Sequence, residues 1–422
     1  MTSHEQHRTR TLWLTGVLHA FTHVYNVALL PLYLRIQQDL RLSGVEQATL
    51  LVTVMMLAYI LPSYPLGVLA DRWSRKKLLA VGLAINGLGF VGLSLAPNYA
   101  WALASVIVTG FGGSFYHPAA TALIARLFPE ARGRALGLAG IGSSAGFFAG
   151  PIYAGWRAVI SGSWRAPVLE LGLLGVIAAG LFAWLADEER NAPAPEPTRL
   201  HSEKLFPTRA LWVFFLSACF CFSLRDFASN AMSTSASLFL QNAHGFSPKF
   251  AGMALSGIFL ASAISNPVFG HLSDRGRVRW IGFVLLMAAG MVSVFPRVPV
   301  VWMTPVLLAY GFFVMASYLM TEAALMEAVH DPVRGRVYGV YLTVGGLVGN
   351  LSPWLVGDWV EKLGAKASSP GSYFPLYTVL SLSLLASLAG LPFLHAIRKR
   401  EHIDTAGAAP APPPASRASD SP

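Results

Sequence analysis

Twelve runs of mostly apolar residues follow one another along this chain, and they constrain the fold more than any other feature. They cover approximately 12–34, 45–70, 78–96, 101–123, 135–157, 168–186, 210–233, 250–271, 280–296, 301–325, 337–357 and 373–395. A helix that crosses a bilayer needs about 20 such residues, with every backbone polar group satisfied inside the segment. What remains could not clothe a water-soluble body. Charged residues make up 12 % of the 422, against roughly 25 % in soluble domains, and the mean hydropathy is +0.52. The same figures exclude intrinsic disorder. A disulfide-built secreted domain is excluded by two cysteines, Cys219 and Cys221, two apart in one apolar run. The expected fold is an all-α membrane protein with twelve transmembrane helices.

The polar segments divide the chain into a short N-terminus (1–11), a six-helix bundle (12–186), a linker (187–209), a second six-helix bundle (210–395) and a tail (396–422). The linker is rich in proline and charge. The tail ends "APAPPPASRASDSP", a composition that cannot build a packed core and predicts disorder. The first run is long, contains Pro31 and lacks a small-residue cleavage site, which argues against a cleavable signal peptide. The net charge of +10 does not form one patch, so a nucleic-acid partner is not expected. With both termini on one side, 22 of the 31 Lys and Arg fall in segments on that side, eight fall on the other, and Arg225 lies within a helix. Lysine and arginine concentrate in cytoplasmic loops. That bias predicts a multi-pass membrane protein with both termini cytoplasmic.

Internal repeats refine the architecture. "GVLADRWSRK" begins at Gly67 and "GHLSDRGRVR" at Gly270, an offset of 203. "PEARGRALG" begins at Pro129 and "DPVRGRVYG" at Asp331, an offset of 202, and Tyr116/Tyr318 and Pro151/Pro353 keep that register. The chain therefore reads as two homologous halves facing the same way, related by an axis along the membrane normal.

The loop between the second and third runs carries Gly67, Asp71, Arg72, Arg75 and Lys76, echoed by Gly270, Asp274, Arg275 and Arg277. A glycine there permits close backbone approach, an aspartate can face a helix N-terminus, and basic residues can meet carboxylates or lipid phosphates. With these motifs the chain resembles the major facilitator superfamily of secondary transporters over essentially its whole length. The resemblance implies that the loops latch the outward-open state. The fifth run, "GIGSSAGFFAGPIYAG", places Gly142, Gly146 and Gly150 on one helical face before Pro151. Small residues at that spacing admit a second helix closely. The stretch looks like the helix-five motif of family antiporters, with Gly155 one place later than the usual glycine pair. Within the family, "LHAFTHVYNVALLP" and the His117-Pro118 pair resemble fosmidomycin-resistance-type drug exporters. Two departures stand out. Thr22 and His23 replace the Asn-Asp expected in the first helix, and Val106 or Val108 stands where many proton-coupled antiporters place an arginine.

Ionisable residues inside a bilayer face a cavity or a partner, since exposure to lipid costs roughly 2.5–3.5 kcal/mol on insertion scales. His19, His23 and Asn26 share one face of the first helix at i, i+4, i+7 spacing. Arg225, Asp226 and Asn230 lie in the seventh run, and His23 and Asp226 are equivalent under the 203 offset. With His117, these residues form the candidate substrate and proton pathway. Adjacent residues on a helix point about 100° apart, so Arg225 and Asp226 are not bound to neutralise each other. On this reading Arg225 is a fixed positive charge suited to an anionic group, and His23, titrating near neutral pH, modulates an attraction to Asp226. Glu322 and Glu327 read as gate or loop contacts, the aromatic residues as lipid-facing, and the cysteines as core.

Neither a phosphate-binding loop, a nucleophile elbow nor a metal-spaced Cys/His cluster is present. The expectation is therefore a monomeric transporter and not an enzyme, with no cofactor and no metal, driven by an ion gradient, most simply of protons. Its partners are a small-molecule substrate and the lipid bilayer. Export of small molecules or drugs is the leading expectation. The rivals are import of a small organic anion bound by Arg225 and a non-transporting receptor or assembly factor of the same fold.

Overall fold

The computed structural model describes residues 3–187, 205, 206, 208–274, 276–329 and 334–396. Most of the linker, the tail, Arg275 and the side chain of Asp71 lie outside the described residues. Helix one comprises Ser3–Val27, a 3-10 turn Leu30–Leu32 and Tyr33–Asp39, so it starts well before the predicted residue 12. Helix two is Val45–Ile60 and Ser63–Arg72, helix three Arg75–Ser94, and helix four Tyr99–Gly113 and Tyr116–Leu127. Helix five is Arg132–Ser161 and helix six Arg165–Leu185. The second half repeats the plan. Helix seven is Arg209–Asn242, helix eight Pro248–Leu260 and Ser262–Ser273, helix nine Arg277–Val294, and helix ten Val300–Ala328. Helix eleven is Arg334–Gly349 and Ser352–Leu363, and helix twelve includes Phe374–Ser387.

Ten of these segments are long and apolar enough to cross a membrane by themselves, and Val45–Ile60 is a shorter apolar helix. The interruptions have a local cause. Proline lacks the N–H that would bond the carbonyl four residues back. Pro31, Pro65, Pro118 and Pro353 therefore release Val27, Leu61, Ser114 and Gly349, and helices one, two, four and eleven break at those places. Caps start other helices. Asn98 accepts from the Trp101 N–H at 2.9 Å, and Thr208 from the Leu211 N–H at 3.3 Å. Gly162 (φ +70°) makes the left-handed turn between helices five and six.

Within the first half, helix three packs on helices four and six, and helix one on helix five; within the second, helix nine packs on ten and twelve. Large apolar side chains such as Trp184, Val301, Ile264 and Phe220 remain on the outside, as a lipid-facing surface requires. Between the halves, helix five packs on helix eight and helix two on helix eleven. These contacts gather at the side away from the chain ends. Trp354 N–H donates to Thr53 Oγ1 at 3.1 Å, Val45 N–H to Glu361 Oε2 at 2.8 Å, and the Ser237 hydroxyl to the Leu30 carbonyl. On the side of the chain ends, Ser63–Arg72 and Ser262–Ser273 pack chiefly on helices of their own half. The two bundles thus meet at one end, and the cleft between them opens at the other.

Candidate functional site

Helix five determines where helix one stands. A Cβ added at Gly142 would strike the Gly16 carbonyl oxygen, one at Gly146 the Ala20 carbonyl, and one at Gly150 the Val27 side chain and Val24 backbone. The glycine face therefore seats helix one of its own half. This approach lets the His19 Nδ1–H donate to the Ala139 carbonyl of helix five at 3.0 Å. Farther along helix five the same kind of packing joins the two halves. Cβ atoms at Gly155 and Gly252 would strike the carbonyls of Pro248 and Pro151. The repeat partner of Gly155, Gly357, lies likewise against Thr49 of helix two.

Three histidines converge on the cleft from two helices. The ring centroids of His19 and His23 are 4.8 Å apart, those of His19 and His117 5.3 Å, and those of His23 and His117 5.8 Å. One ligand nitrogen from each lies within 4.8 Å of the other two. Helix four is tied to helix one by the Tyr116 hydroxyl, which donates to the Thr15 carbonyl at 3.0 Å, and the Tyr116 ring stacks on His19 at 4.5 Å. The Asn26 amide touches His23 Nδ1 at 3.4 Å. Phe147 covers His23 at 4.3 Å and stacks on Phe259 of the other half at 4.9 Å, a roof on the closed side. His23 is buried, His19 half-buried and His117 exposed. Spacing along the chain does not announce this group: folding brings His117, 94 residues beyond His23, against the pair at positions 19 and 23.

The second half places a charge pair at the matching level. Arg225 is 1 % exposed, and all five of its N–H donors are engaged. Nε and Nη2 meet Asp226 Oδ1 at 3.0 and 2.8 Å, Nη2 also meets the Tyr341 hydroxyl at 3.0 Å, and Nη1 meets Thr321 Oγ1 at 3.2 Å and the Ser317 carbonyl at 3.3 Å. Its guanidinium lies 3.9 Å over the Tyr318 ring. Spacing along the helix left it open whether Arg225 and Asp226 neutralise each other; here they pair. The backbone carries the two side chains apart, but the long arginine chain curls back onto its neighbour, because a buried cation needs a fixed counter-charge. Tyr116 and Tyr318, equivalent in the repeat, perform equivalent tasks: one stacks on His19, the other on Arg225. Asn230 donates to Asn350 Oδ1 at 3.2 Å and so ties helix seven to the break of helix eleven. Among the described residues no hydrogen bond or ion pair joins His23 to Asp226. Phe147, Tyr341, Thr321 and Gly252 were not singled out from sequence; the repeat offset leads from Gly155 to Gly357, and so to the type of contact that Gly252 makes.

The latch segments are relaxed in this state. The nearest neighbour of a Cβ at Gly67 is Pro118 at 3.8 Å, and at Gly270 it is Leu319 at 3.8 Å, both ordinary contacts. Close backbone approach at Gly67 is not found, because the helices on this side of the molecule stand apart. Arg72 is exposed and Arg75 buried. In the second half, Arg277 pairs with Glu327 at 2.7 Å and with Asp274 at 3.6 Å, binding the loop to the end of helix ten. Gly67→Ala is expected to shift the thermal unfolding midpoint by no more than about 2 °C, yet to slow transport severalfold by obstructing the opposite state. Unchanged counterflow rates in proteoliposomes would remove Gly67 from the latch.

Residues 12–353 match the family model described as the Major Facilitator Superfamily. The chain belongs to that superfamily. It is 25 % identical over 232 residues to the quinolone resistance protein NorA of Staphylococcus aureus, covering 55 % of this chain and 58 % of NorA. Over 152 residues it is 28 % identical to the multidrug resistance protein MdtH of Shigella dysenteriae, covering 34 % of this chain and 37 % of MdtH. The matches thus span little more than half the length of these curated relatives, or less. Among solved structures, a bacterial homologue of the human lysosomal transporter Spinster, in an inward-facing and unoccupied conformation, superposes with a TM-score of 0.73 at 18 % identity, covering 97 % of this chain and all of that one. The nucleoside transporter NupG gives 0.69 at 16 % identity, covering 92 % and 99 %. At such identities the structural likeness speaks for the fold. This superfamily member has the multi-pass, membrane-spanning helical fold of that superfamily.

Proposed function

We propose that this transporter exports small amphipathic molecules by alternating access, in exchange for protons, with both chain ends in the cytoplasm. The observation that carries the reading is the Arg225–Asp226 pair at the level of the cleft. Protonation of Asp226 removes the counter-charge of a fully buried guanidinium. A buried ion without its partner is strongly unfavourable, so the bundle gains by rearranging. A two-state protein converts such a difference into a shift of population between its open forms. The drug-resistance relatives support export, and the aromatic surroundings (Phe147, Tyr318, Tyr341) suit an apolar substrate body. Import of an organic anion on Arg225 is the weaker reading, because the guanidinium has no donor left to offer.

Asp226→Asn tests the coupling. In proteoliposomes the variant is expected to lose at least ~10-fold of transport driven by an imposed pH gradient, within the range typical of proton-transfer contributions, while substrate counterflow persists. Gradient-driven transport equal to that of the native chain would overturn the proposed role. An imposed gradient that accumulates substrate on the side of the chain ends would overturn the direction.

A further inference from the structure

We propose that His19, His23 and His117 form a binding site for a divalent first-row transition-metal ion of the zinc type, with one coordination position open to the cleft. The inference goes beyond export and does not rest on it. Imidazole is a favoured ligand of zinc, copper and nickel. Zinc–nitrogen bonds of 2.0–2.1 Å place tetrahedral ligand nitrogens about 3.3 Å apart. The three nitrogens here, within 4.8 Å of one another, need to close by no more than ~1.5 Å to reach that geometry.

The surroundings are those of a ligand set. His19 gives its Nδ1–H to the Ala139 carbonyl, which fixes the tautomer and leaves Nε2 with a free lone pair. A backbone carbonyl in that role is the usual outer partner of a metal-bound histidine. His19 Nε2 is buried and without a hydrogen-bond partner. A buried acceptor left alone costs free energy, and a metal ion would satisfy it. The Asn26 amide nitrogen lies 3.4 Å from His23 Nδ1; with that amide turned by 180°, its oxygen would accept the Nδ1–H and leave Nε2 free for the ion. His117 is exposed and supplies the path of entry. The Tyr59 hydroxyl, also buried and unpartnered, belongs to a ring 6.2 Å from that of His117. Three neutral ligands and an open position leave room for water or a donor atom of a substrate.

The test uses the purified full chain in detergent, with any affinity tag removed, titrated with Zn²⁺ alone by calorimetry and with Co²⁺ alone by visible absorption. One site per chain and an intense tetrahedral Co²⁺ band are expected. His117→Ala, which alters an exposed side chain, should weaken binding at least ~10-fold, the smallest loss typical even of outer-partner changes. His117→Cys should restore binding, since a thiolate also ligates zinc, whereas His244→Ala and His271→Ala should leave it unchanged. Failure of both metals to bind saturably, or binding that survives the triple alanine variant, would overturn the site. Asp226→Asn should keep the metal while losing gradient-driven export, so the two proposals fail separately.

Discussion

Arg225→Ala is expected to be the most damaging single substitution in the second half, lowering stability by about 3–5 kcal/mol. The reason is the inventory of groups left behind. Asp226, the Tyr341 hydroxyl, Thr321 and the Ser317 carbonyl all lose a donor at once, and the Tyr318 face loses its cation. Arg225→Lys should rescue little. An ammonium offers three donors from a single point and cannot engage the Asp226 oxygen while reaching both helix ten and helix eleven. Joint replacement by Arg225→Leu and Asp226→Leu should regain most of the thermal unfolding midpoint, because it removes both charges from a dry site, yet transport driven by a pH gradient should stay absent. Detergent melting curves and proteoliposome assays on the four proteins separate these outcomes. An Arg225→Ala protein that melts and transports like the native chain would refute the account of the pair.

Two glycines of one helix should fail in opposite ways. Gly146 lies against the Ala20 backbone inside the first bundle, so Gly146→Val forces helices one and five apart. Overpacking of this kind costs typically 1–3 kcal/mol and should lower the melting midpoint. Gly155 lies against Pro248 across the interface between the bundles. Gly155→Val disfavours only the state in which these ends touch, and the bundles relieve the clash by rocking apart. A bias of about 3 kcal/mol corresponds to a population shift of more than 100-fold. Gly155→Val is thus expected to melt near the native midpoint while transport falls severely. Cysteines placed on the closed side should become reactive to membrane-impermeant thiol reagents in that variant alone. Equal loss of stability in both variants would contradict the division of helix five into an internal and an interfacial stretch.

The twelve crossings were legible because hydrocarbon leaves the backbone no alternative to long apolar helices. The two-half plan was legible because Gly67/Gly270 and Tyr116/Tyr318 keep the same offset to within one residue through half the chain. Even the helix breaks had a written signal in Pro31, Pro65, Pro118 and Pro353. The face of helix one carrying His19, His23 and Asn26 also follows from spacing along a single helix.

Side-chain partnership was a different matter. Nothing in the order of residues says that Arg225 bends back to Asp226, that Gly142 and Gly146 seat helix one while Gly155 meets helix eight, or that His117 joins two histidines some 94 residues earlier. Local pattern determines which helix forms and which face is polar, since those depend on neighbours within a turn or two. Which polar group meets which, and on which side the bundles touch, depends on how separate helices dock. That choice is made by close backbone contacts and by the cost of leaving a buried charge or ring nitrogen alone, and only the tertiary structure decides it.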